Sequence, residues 1–137
     1  MKGLFNDRTM VSLEKSLDAA AARQSIMAHN LANINTPNFK RRDVLFEDEL
    51  RRALSDNGDY RMAVTNARHI TSKGDLANVR PTVINDKTTS MRLDGNNVDI
   101  DMEMTLLAAN QLNYNAFTQL INGKYSMLRY VINEGRR

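Results

Sequence analysis

The residues with the most potential for chemistry are two histidines, His29 and His69, and an acid-rich run, Asp94-Gly95-Asn96-Asn97-Val98-Asp99-Ile100-Asp101. A general base needs a nucleophile and an orienting carboxylate within reach, yet no Ser lies in a recognisable nucleophile motif and no carboxylate is placed to work with either His. His29, next to the Asn30–Asn33 stretch, is read as a hydrogen-bonding residue at a helix end. The acidic run offers oxygen ligands, as calcium loops do. Its Gly comes second, however, where a calcium loop keeps Gly sixth and closes with Glu at the twelfth place. It is read as a turn leading into a helix. No Gly-rich phosphate loop occurs, and the lack of Cys removes disulfides, zinc–thiolate sites and thiol nucleophiles. The expectation is a protein that is not an enzyme, with no cofactor and no metal.

The elements that would position these residues are two long helical seams. Met10, Leu13, Leu17, Ala20, Gln24, Met27, Leu31 and Ile34 alternate steps of three and four, with Gln24 the one polar interruption. Thr9 is the candidate N-cap. Asn33-Ile34-Asn35-Thr36-Pro37 ends the helix, because a residue before Pro avoids the helical region. A longer seam follows the acidic run: Ile100, Met104, Leu107, Gln111, Tyr114, Thr118, Ile121, Tyr125, Leu128 and Ile132. A second row (Leu106, Phe117, Leu120, Met127, Val131) widens this face beyond what one partner helix would cover. Asp99, Asp101 and Glu103 favour the positive end of the helix dipole, and Arg136 and Arg137 the negative end.

Three segments result: 1–36 helical, 37–98 irregular, and 99–137 a long helix. Within the middle, Phe46, Leu50 and Leu54 predict a short helix near 43–55, and Met62-Ala63-Val64 and Val83-Ile84 are candidate short strands. Asp56-Asn57-Gly58-Asp59 signals a turn. The fold class is mainly α, and its 6% aromatic content, without Trp, suits helix seams better than a thick sheet core. Isolated amphipathic helices are marginal in water until their apolar face is covered, so two long seams around a polar middle point to packing between copies. The net charge of +3 is mild. Five basic residues (Lys40, Arg41, Arg42, Arg51, Arg52) also face four acids (Asp43, Glu47, Asp48, Glu49) through Lys40–Arg52, a mixture that argues against nucleic-acid binding. No run of about 18 apolar residues predicts a transmembrane segment. The first residues, Met1-Lys2-Gly3-Leu4-Phe5-Asn6-Asp7-Arg8, are broken by charge before a cleavable signal core could form.

The segment Arg23–Lys40, with Asn30-Leu31-Ala32-Asn33 at its centre followed by Thr36-Pro37 and the aromatic Phe39, resembles the N-terminal signature of flagellar rod and hook-class axial proteins. The run Leu93–Asp99, then Glu103, Leu107-Ala108, Asn110 and Tyr114, looks like the proximal-rod members of that family. Where the family commonly has Gly after Thr-Pro, this chain has Asn38, which tolerates a left-handed backbone. The resemblance implies terminal helices that pair as a coiled coil and pack into a hollow rod in the basal body, crossing the periplasm. It implies export by the flagellar type III route without a cleaved signal. The partners it implies are other rod subunits (a neighbour of the FlgC type), an adaptor of the FliE type, the inner-membrane ring and the export gate. The expected turn residues are Asn30, Leu31, Ala32, Asn33, Thr36, Pro37 and Phe39. The expected assembly seams are Leu13, Leu17, Met27, Leu31 and Ile34 on one helix and Ile100, Met104, Leu107, Tyr114, Ile121, Leu128 and Ile132 on the other. A soluble coiled-coil adaptor or regulator is the rival reading from another class.

Overall fold

The computed structural model describes residues 7–55, 76–86, 90 and 92–133. Helix α1 spans Arg8–Ala32. Its N-cap is Asp7, not Thr9: the Asp7 carboxylate accepts the Thr9 backbone N–H at 3.3 Å and also the Thr9 hydroxyl. A carboxylate serves better than a hydroxyl at the positive end of the helix dipole, and so the cap falls two residues earlier than the hydroxyl would place it. At the other end the Asn33 N–H returns to the Asn30 carbonyl. Ile34 therefore lies beyond the helix, in the turn.

Strand β1 (Arg42–Leu45) pairs antiparallel with β2 (Thr82–Asn85), with Val44 opposite Val83. Helix α2 is confined to Glu47–Ser55. The spacing of Phe46, Leu50 and Leu54 carried the expected helix back to residue 43, but the ladder to β2 takes the backbone of residues 42–45 first. The inward stripe differs too. Phe46 is buried and Leu50 half-buried, but Ala53 takes the next buried place and Leu54 is left exposed. Val83-Ile84 lies in β2 as expected. Met62-Ala63-Val64, the Asp56–Asp59 turn signal, His69, Arg136 and Arg137 lie outside the described residues.

Helix α3 spans Ile100–Ile132, roughly 50 Å at about 1.5 Å per residue. The Asp99 carboxylate caps it, accepting from the backbone N–H groups of Asp101 and Met102. α1 and α3 run antiparallel: Lys124 meets Asp7, Asn110 meets Ala20 and Glu103 meets Asn30, descending one helix while ascending the other. The opposite side of α1 carries the small apolar core, Ala19 with Phe46, Ala53, Leu76 and Val79, flanked by Val11 and Leu50. Polar links fasten that side as well. The Arg8 guanidinium donates to the carbonyls of Ala53 and Leu54 at the end of α2, and Arg23 pairs with Glu47. Among the described residues no helix is long and apolar enough to cross a membrane.

Candidate functional site

Where α1 ends, the chain turns a corner, and five polar side chains close it. Asn30 is fully buried, and its amide treats β1 as another strand would. Its Oδ1 accepts the Arg42 N–H at 3.0 Å, and its Nδ2 donates to the Arg42 carbonyl at 2.8 Å. The same Nδ2 also donates to Glu103 Oε2 at 3.3 Å, joining the start of α3 to the end of α1. The other oxygen of Glu103 accepts from Arg41 Nε, and Arg41 Nη1 donates to Asp43 at 2.9 Å. Glu103 is 2% exposed, so this is a buried charge whose cost is offset only because both oxygens are hydrogen-bonded. Burial by itself would lower the Arg41 pKa, but the bonds to Glu103 and Asp43 raise it, and the guanidinium stays charged.

Two adjacent asparagines finish the corner from the other side. The Nδ2 of Asn96 donates to the carbonyls of Asn33, Ile34 and Thr36 at 3.0–3.1 Å where the helix stops, as a second donor beside the Thr36 N–H, the Arg92 guanidinium and the Phe39 N–H. Asn97 Oδ1 accepts the Arg41 N–H at 2.6 Å, and its Nδ2 donates to the Asp86 carbonyl. Asn33 itself donates to the His29 carbonyl at 2.8 Å, and Thr36 donates its hydroxyl to Asn33. His29 lies against Phe39, ring centres 5.6 Å apart, with Asn33 Nδ2 3.4 Å from its Nδ1. Asn38 takes the left-handed conformation at φ 59°, and faces Gly95 at φ 80°. A Cβ on Gly95 would stand 2.7 Å from Asn38 Oδ1, a side-chain end that can turn away, so it is the left-handed backbone that favours glycine there.

From this corner the two helices meet along a seam. On α3 the inward positions are Glu103, Leu107, Asn110, Tyr114, Phe117, Ile121, Lys124 and Leu128, alternating steps of four and three. Four of the expected seam residues, Leu107, Tyr114, Ile121 and Leu128, stand in this row, half-buried. Ile100, Met104 and Ile132 do not: they are 50%, 49% and 66% exposed. The inward face is rotated by one residue, because Glu103 and Asn110 take the places that apolar spacing assigns to Met104 and Gln111. On α1, Met27 is buried, Leu13, Leu17, Leu31 and Ile34 are half-buried, and Gln24 is exposed.

The turn residues are brought together at the corner only in part. Asn30 and Asn33 bond as described, Leu31 is half-buried in the seam, and Ala32, Thr36 and Pro37 are exposed. Sequence reasoning left out Arg41, Asn96, Asn97, Glu103 and Asn110 as site residues. One signal could have found two of them: Glu103, Asn110 and Lys124 fall on a seven-residue lattice, so polar groups recur on one line of the helix.

The far side of α3 is apolar and uncovered among the described residues. Met102, Leu112, Leu120, Met127, Tyr130 and Val131 are each at least half exposed. From Met102 to Ile132 the helix carries only Glu103, Lys124 and Arg129 as charged groups, and the first two belong to the inward row. Among the described residues no group of His, Asp or Glu is gathered as metal ligands would be. The arrangement holds a shape and presents an apolar surface.

Residues 13–40, which cover most of α1 and the corner, match the family described as flagella basal body rod protein. The flagellar basal body rod protein FlgB of Bacillus subtilis is 36% identical over 130 residues, covering 93% of this chain and 95% of that protein. FlgB of Borreliella burgdorferi is 36% identical over 118 residues, 83% of this chain and 87% of that protein. FlgB of Escherichia coli is 30% identical over 131 residues, with 89% and 91% covered.

Proposed function

This chain belongs to the FlgB family of flagellar basal body rod proteins, and from that membership we propose that it polymerises into the hollow drive shaft through the outer face of α3. It is a structural subunit of the basal body rod and not an enzyme. The observation that carries the polymerisation reading is the long uncharged stretch of α3 left in water. Burying apolar surface yields roughly 25 cal/mol per Å², and monomeric proteins rarely leave large contiguous apolar patches exposed. A helix about 50 Å long can bind neighbours along its length and share torque among many small contacts.

Self-assembly and association with other basal body components follow from the family. The finer reading places a rod protein of the FlgC type as neighbour, and an adaptor of the FliE type, the inner-membrane ring and the export gate at the base. It places the rod in the periplasmic space. In this reading the Asn30–Phe39 corner sets the angle at which the polar middle leaves the helix pair. The seam from Leu13 to Ile34 and from Leu107 to Leu128 makes the pair itself, and Ile100, Met104 and Ile132 are free for neighbours.

Electron cryotomography of basal bodies in cells lacking this gene tests the role. Membrane rings without a rod, restored by complementation, are the expected result. A complete rod in the deletion strain would remove the proximal structural role.

A further inference from the structure

Asn110 is 4% exposed in the middle of the α1–α3 seam. Its Nδ2 donates to the Ala20 carbonyl at 2.9 Å, across 90 residues of chain. Only the amide nitrogen can face a carbonyl, so the orientation of the group is settled and its Oδ1 points the other way. There it meets no donor, and it is the single buried side-chain polar atom without a partner among the described residues. A buried unsatisfied acceptor costs stability, and an isosteric leucine would avoid that cost. The Ala20 carbonyl needs nothing from Asn110 either, since a carbonyl inside a helix already accepts from the residue four further on. The amide therefore does not serve stability at this place.

What it does serve follows from the repeat. The apolar positions recur every seven residues, Leu13, Ala20 and Met27 on α1 with Ile34 just past its end, and Leu107, Tyr114, Ile121 and Leu128 on α3. Such rows fit nearly as well after one helix slides by a heptad, about 10 Å. Polar groups break that degeneracy. In the observed register Asn110 lies against Ala20, 1% exposed, whose small side chain leaves the α1 backbone within reach. A slide of one heptad brings Asn110 to the level of Leu13 or Met27, whose side chains bar the way to a carbonyl. Both ends of its amide would then be buried unpaired. The same slide draws the buried Glu103 from Asn30 and Arg41, which penalises the wrong register at the corner end, and Lys124 from Asp7, a surface pair whose loss counts for little.

We propose that Asn110 specifies the antiparallel register in the middle of the α1–α3 seam, beyond the hold that Glu103 has at the corner, and at a net cost to the stability of the pair. A protein whose long helices carry heptad seams has an incorrect partner available at every shift, both within its own chain and on any copy beside it. One amide that accepts a single register discriminates among them, as unpaired polar groups do wherever specificity is a difference between affinities.

The test uses the full chain with spin labels on cysteines introduced at Ser25 and Gln119, two exposed positions in a sequence that has no other Cys. Distances are measured by pulsed electron resonance in buffer with an osmolyte that favours the folded state. The unsubstituted chain is expected to give one narrow distance. Asn110→Leu should raise the melting midpoint by about 5 °C and add a second distance displaced by about 10 Å. Asn110→Ser, which keeps a donor near Ala20, should retain the one distance. A leucine variant with the same single narrow distance would overturn the proposal, as would one that melts lower than the serine variant. A broad distribution in the unsubstituted chain would overturn it also, since the register would then not be set within the chain.

Discussion

The corner and the outer face of α3 reverse the usual relation between polarity and burial. At the corner Asn30, Asn96, Asn97 and Glu103 are no more than 3% exposed, and each is held by at least two hydrogen bonds. On the outer face Leu112, Met127 and Tyr130 are 64–70% exposed. One region completes its bonding inside the subunit, and the other leaves its burial undone. Directional bonds must be satisfied where the chain folds, because an unpaired amide or carboxylate cannot wait in a dry interior. Apolar surface can wait in water at a moderate cost, and a neighbouring subunit can cover it later. A polymer subunit has use for both: a rigid joint made of polar groups and an adhesive face made of apolar ones.

The comparison breaks most sharply if the joint is not in fact self-contained. Glu103→Ala removes the carboxylate between Arg41 and Asn30. Because Asp43 still holds Arg41, the expected loss lies at the lower end for a broken buried pair, about 3 kcal/mol, read from urea unfolding of the isolated chain. Asn96→Ala removes the donor shared by three carbonyls at the end of α1, each of which keeps one other donor. A loss of about 1 kcal/mol is expected, with faster amide exchange in residues 30–34. Unchanged exchange there would mean that the remaining donors hold the corner without Asn96.

On the outer face the expected pattern is the opposite. Leu112→Asp combined with Tyr130→Asp should shift the stability of the isolated chain by no more than about 0.5 kcal/mol, while motility and rod assembly are lost. Full motility in that double variant would separate the exposed face from assembly. The smallest effect concerns the ion pair that ties α1 to α2. Burial alone would raise the Glu47 pKa, but the bond from Arg23 and a backbone bond hold it below its ordinary 4.5. A lowered folded pKa means stability that is present above about pH 4.5 and lost as the pH falls through the folded value. Glu47→Gln should therefore flatten the acid limb of a circular-dichroism titration slightly, with no change near neutrality.

Much of the architecture was legible from local signals. Both long helices follow from one-sided seams, Pro37 and the acids before residue 100 mark where they stop and start, and the left-handed turn at Asn38 is a property that asparagine carries with it. Local signals misplaced the cap at Thr9 and extended the middle helix back to Asp43, since neither reading included the competing group, the Asp7 carboxylate in one case and the β2 ladder in the other. The corner was legible only on its α1 side. Asn96 and Asn97 were part of a run that reads as a plain turn, and the three carbonyls that give Asn96 its place belong to residues 60 or more positions earlier.

By itself, then, the sequence determined that there are two long helices with apolar faces, one of them wider than a single partner needs, because helix periodicity and capping act over three or four residues. Tertiary structure decided which row of α3 turns inward. Apolar spacing favoured Met104 and Gln111, yet the row with Glu103 and Asn110 is the buried one, because Arg41, Asn30 and the Ala20 carbonyl are there to receive it. Whether a polar side chain can be buried depends on the partner that meets it, and that partner arrives from the far end of the chain.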